Sequence, residues 1–149
     1  MRVLFRSNGP VGTYQIDQSE VPSIKLSSSL DEAVLGADAI FVTGPVLKQR
    51  TYAMVLGGHL NDDQVVVIAP GRTLGAVETA WYLRVGGNSS AISIVELQSL
   101  PFWVDDRGGT LYLTETGPVT TAVLPSGNRG VLGAMAADRK STRLNSSHW

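Results

Sequence analysis

Apolar residues along this 149-residue chain fall into two rhythms, short β-branched runs and longer stretches with helical spacing. The clearest join between them is Val65 to Glu78, VVVIAPGRTLGAVE. Val65 to Ile68 is a continuous apolar run, the mark of a strand buried on both faces. Pro70 and Gly71 break it, Thr73 is placed to cap a helix, and Leu74, Val77, Trp81 and Val85 recur at helical spacing. The chain is therefore expected to leave a buried parallel strand, turn tightly and enter a helix. In open α/β sheets such turns lie at the carboxyl ends of the strands, where ligands bind.

The same alternation frames this stretch on both sides. Ser29-Leu30-Asp31-Glu32 reads as a capping box, followed by Ala33, Val34 and Ala37 on one helical face and Gly36 as a stop. Ala39 to Val42 is a second buried strand with Thr43-Gly44-Pro45 as its exit turn. Val46 to Leu60 reads as a helix weakened by Gly57 and Gly58, about 1 kcal/mol each relative to Ala. Gly86-Gly87-Asn88 ends the next helix, and Ala91 to Glu96 is a third strand. Beyond Leu100 the pattern shortens to strands at Phe102 to Val104, Thr110 to Thr114 and Val119 to Leu124. They are separated by turns at Asp105 to Gly109 and at Gly117-Pro118. Before Ser29 only brief strands are expected, at Thr13 to Ile16 and Ile24 to Leu26, and Gly127 to Ala137 reads as the start of a further helix. Helix and strand in strict alternation imply right-handed crossovers and parallel pairing. The expected class is α/β: the later part of a Rossmann-like doubly wound parallel sheet with a short antiparallel addition.

The two ends have a different logic. Asp138 to His148 reads DRKSTRLNSSH, the translation of a common sequencing-library adapter, and Arg2 to Ser7 reads RVLFRS, that of the opposite adapter end. Residues 1–7 and 138–149 are accordingly set aside as adapter-derived. That leaves 8–125 as a partial dinucleotide-binding domain and 126–137 as a linker or the start of a substrate domain. Between the ends acids outnumber bases twelve to seven, so the basic tail offers no argument for nucleic acid. The chain has no cysteine, hence no disulfide framework or thiolate metal site. No secretory leader or membrane-length apolar run is visible, so a cytoplasmic location is expected.

Three ordered stretches carry a resemblance: Ala33 to Val42 (AVLGADAIFV), Pro70 to Glu78 (PGRTLGAVE) and Val95 to Phe102 (VELQSLPF). Together, over about Ser29 to Pro125, the chain resembles the octopine/nopaline (opine) dehydrogenase family. That family shows a strand ending in N-P-G-R-T-G-G-A and A-E-T-Q-T-L-P-Y after the next strand. The resemblance implies NAD or NADP as cofactor. It also implies reductive condensation of an amino acid with an α-keto acid, both small molecules. Thr43, Gly44, Pro45, Gly71, Arg72 and Thr73 would line the cofactor cleft, and Arg72, Glu96 and Gln98 would meet the substrate. Two departures stand out: the family's Asn before Pro-Gly-Arg is Ala69, and where the family often has a His this chain reads Lys48-Gln49-Arg50. The opening G-x-G-x-x-G that holds a pyrophosphate is missing from the sequence. In the family it lies upstream, and the catalytic histidine lies in a separate helical domain. Catalytic residues are therefore unassigned, and a chain ending where this one does is expected to be inactive alone, with weak dinucleotide affinity. A related two-domain reductase, resembling glycerol-3-phosphate dehydrogenase or ketopantoate reductase, is the alternative.

Residue chemistry gives each candidate two readings. Arg72 is a planar cation for a carboxylate or phosphate, or a helix-start arginine paired with a surface acid. Glu96 ends a buried strand, where an unpaired carboxylate would be costly. It either pairs within the protein, with Arg72 as one choice, or faces the cleft. Thr43 to Pro45 are cofactor contacts or a plain strand exit. Outside the tail His59 is the one histidine and reads as a helix-end residue. With it alone, no triad or metal cluster can be built. Asp62-Asp63 and Asp105-Asp106 read as turn residues, Asn88-Ser89-Ser90 as a formal glycosylation sequon, and Trp81, Tyr82 and Trp103 as core or interface aromatics.

Overall fold

The computed structural model describes residues 13–16, 27–100, 102–107, 110–115 and 119–141. The strand expected at Ile24 to Leu26 and the segments 1–7 and 142–149 lie outside the described residues. The elements are β1 (Thr13–Ile16), α1 (Leu30–Val34), β2 (Ala39–Val42), α2 (Val46–Leu56), β3 (Val65–Ile68), α3 (Gly75–Val85), β4 (Ser93–Leu97), β5 (Phe102–Arg107), β6 (Thr110–Glu115), β7 (Thr121–Leu124) and α4 (Gly130–Ser141). Short 3₁₀ turns cover Gly57–His59 and Ser126–Asn128. α4 runs through the boundary expected at Ala137.

Two compact units divide the chain, and the larger comprises Ser27–Ser99 and Thr120–Val131. Its sheet has the order β2-β3-β4-β7. β2, β3 and β4 run parallel with Val42, Ile68 and Glu96 in register, while β7 lies antiparallel against β4. The result is a mixed α/β, Rossmann-like sheet flanked by helices, with a short antiparallel part. The apolar run at β3 is explained by its position: Val66 and Val67 point to opposite faces and both are fully buried. One face continues into a core of Val34, Ala53, Leu56, Leu60, Val66, Ala76, Leu83 and Ile94. Each large aliphatic side chain so buried contributes about 1.5–3 kcal/mol. β2 ends the sheet order, and its Phe41 is 58% exposed.

The capping signal on α1 holds: the Ser29 hydroxyl accepts the Glu32 N–H at 3.4 Å. Ser27 joins in, donating to the Glu32 carboxylate and accepting the Ser29 N–H. Gly36 adopts a positive φ of 69°, as a helix stop requires. Gln64, at the foot of β3, adds a clamp with no sequence signature. Its buried amide donates to the carbonyls of Val34 and Ala37 and accepts the Asn61 N–H. The loop between β3's foot and β4 is pinned by Asp62, which accepts the Ala91 N–H at 2.7 Å.

Helix α3 departs from its sequence pattern. The stripe Leu74, Val77, Trp81 and Val85 lies outward, each 51–69% exposed. The buried residues are Gly75, Ala76, Thr79 and Leu83. Periodicity finds an apolar face but not which face is covered. Here small residues let the backbone lie close to its neighbours. Helix α2 ends at Leu56 and passes into the 3₁₀ turn Gly57–His59, and Gly57 and Gly86 are contact points between the two helical segments. A Cβ on Gly86 would run into the Met54 carbonyl oxygen, and one on Gly57 into the Leu83 carbonyl oxygen. The positive φ after α3 belongs to Gly87, at 98°. Trp81 and Trp103, at 68% and 74% exposure, are not core residues.

The second unit contains the sheet β1-β6-β5, antiparallel throughout. The short antiparallel addition expected for the parallel sheet is β7 alone, and β5 and β6 pair with β1. Asp105 and Asp106 lie in strand β5 rather than a turn. Asp105 and Arg107 share one strand face and bond at 2.7 Å, with the guanidinium 5.0 Å from the Tyr112 ring centre. The hydrogen bond that Arg107 donates to Asp105, then the charge of that carboxylate, raises the Arg107 pKa above its ordinary value.

The α2–α3 crossing yields a test. Gly86→Ala is expected to destabilise the protein by about 1–3 kcal/mol through overpacking against a backbone carbonyl. Gly58→Ala, whose added carbon meets its nearest atom at an ordinary 3.5 Å, is expected to be close to neutral. Urea unfolding of both variants checks this, and equal midpoints would place the crossing elsewhere.

Candidate functional site

Parallel register brings three strand exits to one end of the larger unit: Thr43-Gly44-Pro45 after β2, Ala69 to Thr73 after β3, and Gln98 after β4. The sequence-predicted residues therefore share one sheet end. The β3 exit is tied down from several directions. The buried Gln49 side chain of α2 donates to the Pro70 carbonyl at 2.9 Å. The Gly71 N–H donates to the Leu97 carbonyl at 2.6 Å, the Ala69 N–H to Val42 at 3.1 Å, and the Gly75 N–H to Arg72 at 2.7 Å. Gln49 occupies the stretch where the resembled family often carries a His. Its residue type gave no hint of this role, because only the fold brings α2 beside the turn.

Glu96 holds the centre of this end. Its half-buried carboxylate accepts the Ala76 N–H, in the first turn of α3, at 2.7 Å. That N–H lies three residues beyond Thr73 and is the one a Thr73 cap would have taken. Thr73 does not cap the helix: the capping position is Leu74, in the left-handed region at φ 64° and without a side-chain cap. A leucine there carries about 1–2 kcal/mol of backbone strain. The Glu96 carboxylate supplies the missing acceptor and a negative charge at the positive end of α3. Both glycines of the turn face it. A Cβ on Gly71 would run into the Glu96 side chain, and one on Gly75 would come within 3.3 Å of its carboxyl group. The internal pairing open to Glu96 is thus with the α3 backbone, not with Arg72.

Arg72 and Thr73 are exposed, and the Arg72 guanidinium has no ion-pair partner among the described residues. Of the cations on α2, Arg50 is committed, bonding Glu78 at 2.7 Å and joining α2 to α3, while Lys48 in the first turn is exposed. Gly44 lies beneath the Tyr52 ring, which a Cβ there would push aside. Pro45 starts α2, its carbonyl accepting the Lys48 N–H at 2.8 Å. Gln98 is exposed, its backbone N–H bonded to the Thr120 carbonyl. Thr43 is exposed at the edge of the cluster.

The amino end of the same sheet differs. A groove of about 750 Å³ opens there, lined by Leu83, Asn88, Ser93, Leu124 and Asn128 among others. Its amide side chains are bonded internally, with Asn128 donating to the Ser93 hydroxyl and Asn88 bonding the backbone of Ser90, while Asp63 and the exposed Arg84 also line it. Asn88, the residue of the formal sequon, is buried. His59 pairs with Asp31 at the surface and, among the described residues, bonds to none of the strand exits. Among the described residues no group of three His, Cys, Asp or Glu could hold a metal, and no helix is long and apolar enough to cross a membrane.

No protein-family model matches this chain. It is 28% identical over 107 residues to the opine dehydrogenase of Arthrobacter sp. (strain 1C). The match takes in 70% of the chain but 30% of that relative's length.

The clamp on the β3 exit is testable. Gln49→Ala leaves the Pro70 carbonyl without its side-chain donor and is expected to lower stability by about 1–3 kcal/mol. Chemical denaturation measures this, and a change below about 0.5 kcal/mol, the range of ordinary surface substitutions, would show that Gln49 does not hold the turn.

Proposed function

We propose that this chain forms the later part of the nucleotide-binding domain of an NAD- or NADP-dependent opine dehydrogenase-like oxidoreductase. The observation that carries the reading is the shared sheet end. Thr43 to Pro45 and Gly71 to Thr73 leave adjacent parallel strands side by side, at the end where α/β sheets take ligands. The similarity to an opine dehydrogenase supports the choice among enzymes built on such sheets. The reaction would reduce the imine formed from an amino acid and an α-keto acid, with hydride from the nicotinamide. The redox chemistry is the cofactor's, and the protein's part is to hold it and the substrate in line. Arg72, exposed and uncommitted, is the residue for an anionic group at this end. Thr43 to Pro45 and Gly71 to Thr73 border the cofactor, and Gln98 faces the same opening.

The turn after β3 is not a pyrophosphate site, since its sequence lacks the G-x-G-x-x-G pattern and Glu96 occupies the start of α3. This chain alone is therefore expected to bind NADH weakly or not at all. A complete protein containing it is expected to oxidise NADH or NADPH only when a keto acid and an amino acid are both present. Arg72→Ala in that protein is expected to lower kcat/KM by roughly 10- to 100-fold, the loss of one charge-assisted contact. Tight stoichiometric NADH binding by this chain alone, or no turnover of any keto acid and amino acid pair by the complete protein, would contradict the proposal.

A further inference from the structure

A helix of eleven residues such as α3 ordinarily offers its first N–H groups and its positive dipole end to an anion. Here that place is filled from within. The Glu96 carboxylate accepts the Ala76 N–H at 2.7 Å, and Gly71 and Gly75 are the two residues whose missing side chains make room for it. One residue beyond Gly71 stands Arg72, a cation with no ion-pair partner among the described residues. The turn therefore carries two opposite charges with separate tasks, one turned in on the helix and one left to the outside.

We propose that Glu96 is a positioning residue that fixes the Pro70–Thr73 turn and, by holding a carboxylate against the start of α3, bars phosphate from that helix end. The anion this turn accepts is then one that the Arg72 side chain reaches alone, a planar carboxylate matched to the guanidinium fork rather than a phosphate cradled by backbone N–H groups. This rests on the reading that the turn belongs to the ligand site, and it assigns the turn to the carboxylated substrate, not to the cofactor's phosphates.

Inorganic phosphate titrated into the ¹⁵N-labelled chain tests the idea without cofactor or turnover. In the unaltered protein, phosphate is expected to leave the Gly75, Ala76 and Val77 amides in place. In Glu96→Gln, which keeps an oxygen for the Ala76 N–H but removes the charge, those amides are expected to shift, with phosphate affinity there raised roughly fivefold or more. Glu96→Asp retains the charge on a shorter arm. It is expected to speed exchange of the Ala76 amide yet still refuse phosphate, which separates charge from hydrogen bond. A structural cap alone would leave phosphate affinity unchanged in all three proteins. The proposal is overturned if the unaltered protein takes phosphate at Ala76, if Glu96→Gln does not gain it, or if Glu96→Asp gains it equally. Failure of NADH oxidation would sink the enzymatic reading and leave this titration standing, whereas phosphate on Ala76 in the unaltered protein would do the reverse.

Discussion

The Glu96 carboxylate lies where two glycines leave room for it, and the carboxyl end of the sheet is arranged around that contact. It completes the first turn of α3, whose preceding residue Leu74 is strained and offers no cap. It sets the spacing between β4 and the turn after β3, because neither Gly71 nor Gly75 could carry a side chain without displacing it. With Gln49 holding the Pro70 carbonyl from α2, the turn is fixed by three elements, and Arg72 is delivered to the surface from a rigid base. Rigid support beneath an exposed polar group is what a binding residue requires.

The two ends of the parallel sheet are built on different principles. At the amino end, hydrogen bonds close on themselves: Gln64 ties α1 to the foot of β3, and Asn88, Ser93 and Asn128 satisfy one another or nearby backbone. At the carboxyl end backbone groups are equally satisfied, but Arg72, Thr73, Thr43 and Gln98 are left exposed. The groove thus lies at the end where the amide side chains are bonded within the protein, and the exposed residues of the three strand exits lie at the other.

Much of this was legible in the letters. β2 and β3 fall where the pattern puts them, as do the Ser29 cap and the Gly36 stop, but only β3 is buried: β2 ends the sheet order, none of its side chains is fully covered and Phe41 is exposed. What could not be read depends on contacts distant in sequence. The stripe Leu74, Val77, Trp81 and Val85 announces a helix face, but the sheet covers the small-residue face instead. Gly57 and Gly86 read as helix breakers and turned out to be the crossing of two helices. Thr73 looked like the cap because local spacing cannot show a carboxylate arriving from twenty residues away. Within the candidate site, the pairing of Glu96 inside the protein was foreseeable from the expense of burying a charge, but its partner was not. Gln49 and Gln64 were invisible for the same reason, since an amide in a helix or before a strand carries no signal until the fold supplies its carbonyls.

The most direct measurement is a double-mutant cycle between Gly71 and Glu96, read by urea denaturation of Gly71→Ala, Glu96→Ala and the pair together. The account predicts that Gly71→Ala is destabilising while Glu96 is present and nearly neutral once Glu96 is truncated, a coupling of about 1–3 kcal/mol. Additive effects would mean that the glycine and the carboxylate do not share that space, and the carboxyl end of the sheet would then be organised around some other contact.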